Sequence, residues 1–92
     1  MITIELPSAL GAFVDGKSAV VIEEPIASVG EALTALGKRA PGALDRVMDE
    51  RGEVRQHVNV FVNDQNIRFA DGLSTPVPER STITVVAAIS GG

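Results

Sequence analysis

The chain has no cysteine, no tryptophan, no tyrosine and a single histidine. Without a thiol it forms neither a disulfide nor a thiolate metal site, and it has no cysteine nucleophile. His57 alone cannot build a multi-histidine metal site, and no Ser/His/Asp arrangement can be assembled around it. Catalysis by the chain itself is therefore disfavoured. Aromatic residues are limited to Phe13, Phe61 and Phe69, and the formal net charge is −4. Both run against nucleic-acid binding, which draws on a basic footprint and stacking rings. An acidic surface instead favours a basic protein partner, chiefly through the encounter rate. Residues 1–6 have no positively charged lead and no long apolar run, so neither a signal peptide nor a membrane span is expected and cytoplasmic residence is the default.

At 92 residues, 45% of them hydrophobic, the chain is expected to form one small domain with a single core. Ile2, Ile4 and Leu6 alternate with Thr3 and Glu5, the period of a strand with one buried face, and Pro7 ends it. Asp15-Gly16 is a turn signal, while Leu10, Phe13 and Val14 imply that the connection packs down. A second strand over residues 17–23, with Val20 and Ile22 on one face, completes a long-looped hairpin.

Ser28-Val29-Gly30-Glu31 has the form of a capping box, and Val29, Ala32, Leu33, Leu36 and Ala40 follow it at helical spacing. Pro41-Gly42 is expected to stop this helix. Residues 42–56 mix a short helical turn, Leu44, Val47 and Met48, with a charge-rich stretch that reads as solvated surface, and Arg51-Gly52 turns the chain onward. Val58, Val60 and Val62 face the core and Phe61 lies in the opposite phase. Asn63 to Asn66 is turn chemistry, Ile67-Arg68-Phe69 reads as a short returning strand, and Pro76 and Pro78 keep the following connection irregular. Ile83 and Val85 then share one face of a last strand, with Thr82, Thr84 and Val86 on the other.

The expected order is strand, strand, helix, strand, short strand, strand, which is α+β, with a mixed sheet of four to five strands packed on one main helix. The last strand can lie centrally, parallel to the first. It leads directly into Ala87-Ala88-Ile89-Ser90-Gly91-Gly92. Two glycines give the narrowest and most pliable backbone available, able to thread a tunnel and lay a carboxylate against a nucleotide. The bland alternative is a frayed or trimmed end. The division expected is a globular domain over residues 1–86 and a flexible carrier tail over 87–92.

Val58-Asn59-Val60-Phe61-Val62-Asn63-Asp64, then Ile67-Arg68-Phe69 and Gly72-Leu73, then Ile83-Thr84-Val85 and Ser90-Gly91-Gly92 resemble the MoaD/ThiS family of ubiquitin-like sulfur carriers, and within it the CysO-type carriers of cysteine biosynthesis. The resemblance is most specific from Val58 to Gly92, and the first half matches only in pattern. It implies a β-grasp fold and a cycle run by other proteins. An E1-like adenylyltransferase spends ATP on the Gly92 carboxylate, a sulfurtransferase or persulfide donor converts it to a thiocarboxylate, and an acceptor biosynthetic enzyme takes the sulfur. The carrier binds no cofactor of its own. Absence of cysteine agrees with this division of labour, since the thiols and persulfides reside on the partners.

On this reading Gly92 carries the acyl group, and Gly91, Ser90 and Ile89 thread the partner's channel. Phe61, on the open face, is a candidate partner contact, against a ring resting over neighbouring threonines. Arg68 is a second candidate, against a solvated arginine. His57 receives no role, Ser28 and Glu31 are caps, and Phe69 and Leu73 read as core or loop packing. Two other functions stay open: a covalent protein modifier using the same activated tail, and a non-covalent β-grasp module to which the tail is incidental.

Overall fold

In a computed structural model of the chain, residues 1–87 are described. The alternation at the N-terminus forms β1 (Ile2–Glu5), with Ile2 and Ile4 buried. A 3-10 helix over Ser8–Phe13 then packs Leu10 inward. β2 (Ala19–Ile22) returns antiparallel, setting Ile22 opposite Ile2 and Val20 opposite Ile4.

The Ser28 hydroxyl accepts the Glu31 amide at 3.3 Å and so caps α1 (Val29–Arg39). Glu31 closes the other half of the box one residue early, its carboxylate accepting the amide of Ala27 at 3.1 Å. The stripe Val29, Ala32, Leu33, Ala35 and Leu36 is buried against the sheet. Pro41 ends this helix and also begins another, α2 (Pro41–Val47), because a first helical position has no use for the N–H that proline lacks. The two helices close tightly at Gly37, where an added Cβ would lie 2.4 Å from Leu44 Cδ2. Beside them, Glu24 meets Arg39 at 2.6 Å, and this hydrogen bond holds its carboxyl below the ordinary value. The linked stability is present above the ordinary carboxylate pKa and is lost as pH falls. Both side chains are exposed, so it is small.

β3 (Val58–Val62) buries its three valines and turns at Asn63-Asp64 into β4 (Gln65–Asn66). The returning strand expected at Ile67-Arg68-Phe69 is replaced by a 3-10 helix over Ile67–Phe69. Its cause is local: the Asn66 side chain accepts the Arg68 amide at 2.9 Å, which draws the backbone out of the ladder. Near three residues per turn, burying Ile67 drives Phe69 outward. Phe69, read from the sequence as packing, is 85% exposed. Leu73 does pack on the core.

β5 (Thr82–Ala87) lies in the middle of a five-stranded sheet of order β2-β1-β5-β3-β4. It is parallel to β1 and antiparallel to β3, the central placement that the sequence suggested. Ile83 and Val85 point into the same core as α1, while Thr82, Thr84 and Val86 point to the open face. No helix among the described residues is long and apolar enough to cross a membrane.

Candidate functional site

β5 has unequal support along its length. β1 pairs with it only as far as Thr84, whereas β3 holds it to its end, with Val58 opposite Ala87 and Val60 opposite Val85. Beyond Thr84 the strand is therefore fixed from one side, and β1 has already turned off at Pro7. The strand is thus anchored in the core by Ile83 and Val85 and, over its last residues, paired on one flank. Pairing through Ala87 places that residue in the sheet. Residues 88–92, which include Ile89, Ser90, Gly91 and Gly92, lie outside the described residues.

Phe61 takes the open face, as its phase predicts, and is half-buried. It stands opposite Thr84 on β5 and Asn66 on β4. The row continues to Glu5 on β1, whose carboxylate meets the Thr84 hydroxyl at 3.5 Å. Val86 and Val21 add exposed apolar area to this face, at 45% and 48%. Phe61 is thus in register with a threonine, on a face that carries exposed apolar area.

Arg68 is placed differently. Its Nη2 donates to the carbonyls of Arg55, Gln56 and Val58 at 3.0, 3.1 and 2.6 Å. The guanidinium thereby braces the loop entering β3, and it does so at the point where Val58 pairs with Ala87. Arg68→Ala should lower stability by about 1–2 kcal/mol, read as a shift in urea midpoint, because carbonyls on a partly buried strand end lose a charged donor. Arg68→Lys should recover only part of this, since all three bonds come from Nη2, which lies one covalent bond farther from Cα than a lysine Nζ.

The sequence reading missed a basic cluster at the same end. Arg46 on α2, Arg55 and His57 gather with Ala87 around one groove, although they come from stretches that read as solvated surface. No local pattern links them; only the folded arrangement of α2, the loop and β5 does. Among the described residues no cluster of histidine and carboxylate side chains is arranged to hold a metal ion.

A sequence profile of the ThiS family matches residues 9–92. Sulfur carrier protein CysO of Mycobacterium tuberculosis is 28% identical over 93 residues, which cover 99% of this chain and 98% of that protein. A chain of the crystal structure of the Amycolatopsis orientalis BexX/CysO complex superposes with a TM-score of 0.88 at 30% identity, over 100% of both chains. Small archaeal modifier protein 3 of Haloferax volcanii is 32% identical over 66 residues, covering 72% of this chain and 71% of that protein.

Proposed function

Because the chain belongs to the ThiS family and is by that kinship a carrier of the CysO/ThiS type, we propose that Gly92 is its working residue, adenylated by an E1-like enzyme and converted to a thiocarboxylate. The observation that carries this reading is the family match running through residue 92, in a fold whose central strand ends at Ala87, five residues before it in sequence.

The chemistry makes the order of steps necessary. A carboxylate is a poor electrophile, since its charge is delocalised and its leaving group would be oxide. An oxygen of Gly92 therefore attacks the α-phosphorus of ATP and pyrophosphate leaves. A sulfur donor then attacks the acyl carbon and AMP departs with the bonding electrons. If the donor is a persulfide, the acyl disulfide that forms needs a thiol reductant to release the thiocarboxylate. The product is a soft nucleophile, ionised near neutrality and tethered to protein, so it passes to a cytoplasmic biosynthetic enzyme without escaping as sulfide. Cysteine, molybdopterin, a thiazole or a sulfur-containing metabolite could each be the destination. ATP binds to the activating enzyme, and the carrier contributes presentation and recognition without catalysis.

Incubated with its activating enzyme, ATP and a sulfur source, the protein should gain the mass difference between sulfur and oxygen, located on Gly92. Likeness to a small archaeal modifier protein supports a second use of the same activated tail, an isopeptide bond to a lysine of a target. That use would appear as high-mass conjugates resistant to reductant. If neither species forms, the fold serves as a non-covalent module and both readings of the tail fail.

A further inference from the structure

The charge of this acidic chain is not evenly spread. A groove between α1 and α2 carries Glu24, Glu31, Asp45, Asp49 and Glu50 against Lys38. The opposite character appears at the base of β5. There a groove of about 790 Å³ opens on the helix side of the sheet, rimmed by Arg46, Arg55 and His57, with Asp45 the one carboxylate among the described residues that line it. Its floor is apolar, formed by Leu10, Val58 and Val85 among others.

The wall is firmly built. The Phe13 ring rests on Gly42, where an added Cβ would lie 2.4 Å from Cδ1, and the Arg46 guanidinium sits 5.6 Å from the ring centroid on the same helix face. Arg55 is aimed by its Nε, which donates to the Asp45 carbonyl at 2.9 Å. Among the described residues neither Arg46 nor Arg55 enters an ion pair, while Arg39 and Arg51 both do. Two positioned guanidinium groups beside an apolar floor, in a protein of net charge −4, form a local inversion of sign.

We propose that this groove receives an acidic segment of the activating enzyme, at the mouth of the channel that takes the tail. This rests on the carrier reading given above. The reach of the chain requires the proximity: Ala87 lines the groove, and residues 88–92 span at most about 17 Å when extended. An enzyme that holds Gly92 in its active site must therefore bring its own surface over Arg46 and Arg55. Carboxylates there meet an exposed and a half-buried guanidinium group in charge-assisted hydrogen bonds, and they also orient the approach of an otherwise acidic carrier. The site lies on the helix side, distinct from the open sheet face that presents Phe61.

The test compares Arg46→Glu with Lys38→Glu, which makes the same change in net charge beside the acidic groove. Carrier-dependent ATP–pyrophosphate exchange is followed against carrier concentration, using the purified E1-like adenylyltransferase of the same organism. Arg46→Glu should raise KM about tenfold or more at low salt, with kcat within about twofold, because steering acts on encounter. The penalty should shrink toward the Lys38→Glu value near half-molar salt, where screening falls to a few Å. Arg46→Gln should give an intermediate KM and keeps the test available if the reversal unfolds the chain, which far-ultraviolet circular dichroism would reveal. Equal KM values for Arg46→Glu and Lys38→Glu, or a wild-type KM indifferent to salt, would overturn the groove's role and leave the carrier reading standing. A wild-type chain that supports no exchange at all would overturn the carrier reading, and the groove's assigned partner with it.

Discussion

Deleting Gly91 and Gly92 should abolish thiocarboxylate formation while leaving the thermal midpoint of the domain unchanged within about 1 °C. Two residues carry about 7 Å of extended backbone. A misplacement of 1 Å at a reacting centre already costs about 10²-fold, so a carboxylate withdrawn by several times that distance should react at least about 10⁴-fold more slowly. The stability half of the prediction follows from where the core ends. Among the described residues the last in the core is Val85, and β5 pairs with β3 as far as Ala87. Gly92→Val separates reach from crowding, since it keeps the length and puts a β-branched side chain beside the acyl carbon. Adenylation should fall by about 10²-fold, again with the fold intact. Intact mass after incubation with the activating enzyme reads both variants. A shortened chain that was charged at the wild-type rate would show that Gly92 is not the working residue.

Much of this architecture is written in local periods. Ile2 and Ile4, the three valines of β3, and Ile83 with Val85 alternate with polar residues, and each set is buried as its period requires. Ser28 and Glu31 mark the start of α1 because capping is a matter of four consecutive residues. One departure comes from a side chain competing with the backbone. Asn66 captures the Arg68 amide and converts an apparent strand into a 3-10 helix, which exposes Phe69 and sends Arg68 to the carbonyls ahead of β3. Pro41, a stop by its effect on the preceding helix, is a start by its fixed φ for the next. The basic groove was beyond any such reading. Phe13, Arg46, Arg55 and Ala87 are brought together only once the 3-10 helix of residues 8–13, α2 and β5 have packed, and charge in sequence does not disclose charge in space.

The stability of the presenting strand should depend most on Ile83. It is 0% exposed and lies between Ile4 on β1 and Val62 on β3, in the part of β5 that is paired on both sides. Ile83→Ala leaves a cavity that neighbouring strands cannot close, since their positions are fixed by ladders. The expected loss is about 2–5 kcal/mol. A domain of this size has roughly 5–14 kcal/mol in total, so the thermal midpoint should fall by about 10–30 °C, with the denaturant m-value unchanged. Phe69→Ala supplies the contrast: it removes a larger side chain from a position that is 85% exposed, and should shift stability by no more than about 0.5 kcal/mol. At a temperature where Ile83→Ala remains folded, its charging at saturating carrier should approach that of the wild type. The core holds the base of the tail and takes no part in the chemistry at its tip, so damage to the core appears as a loss of folded carrier. A loss of charging in excess of the unfolded fraction would show that the strand also sets the path of the tail into the enzyme.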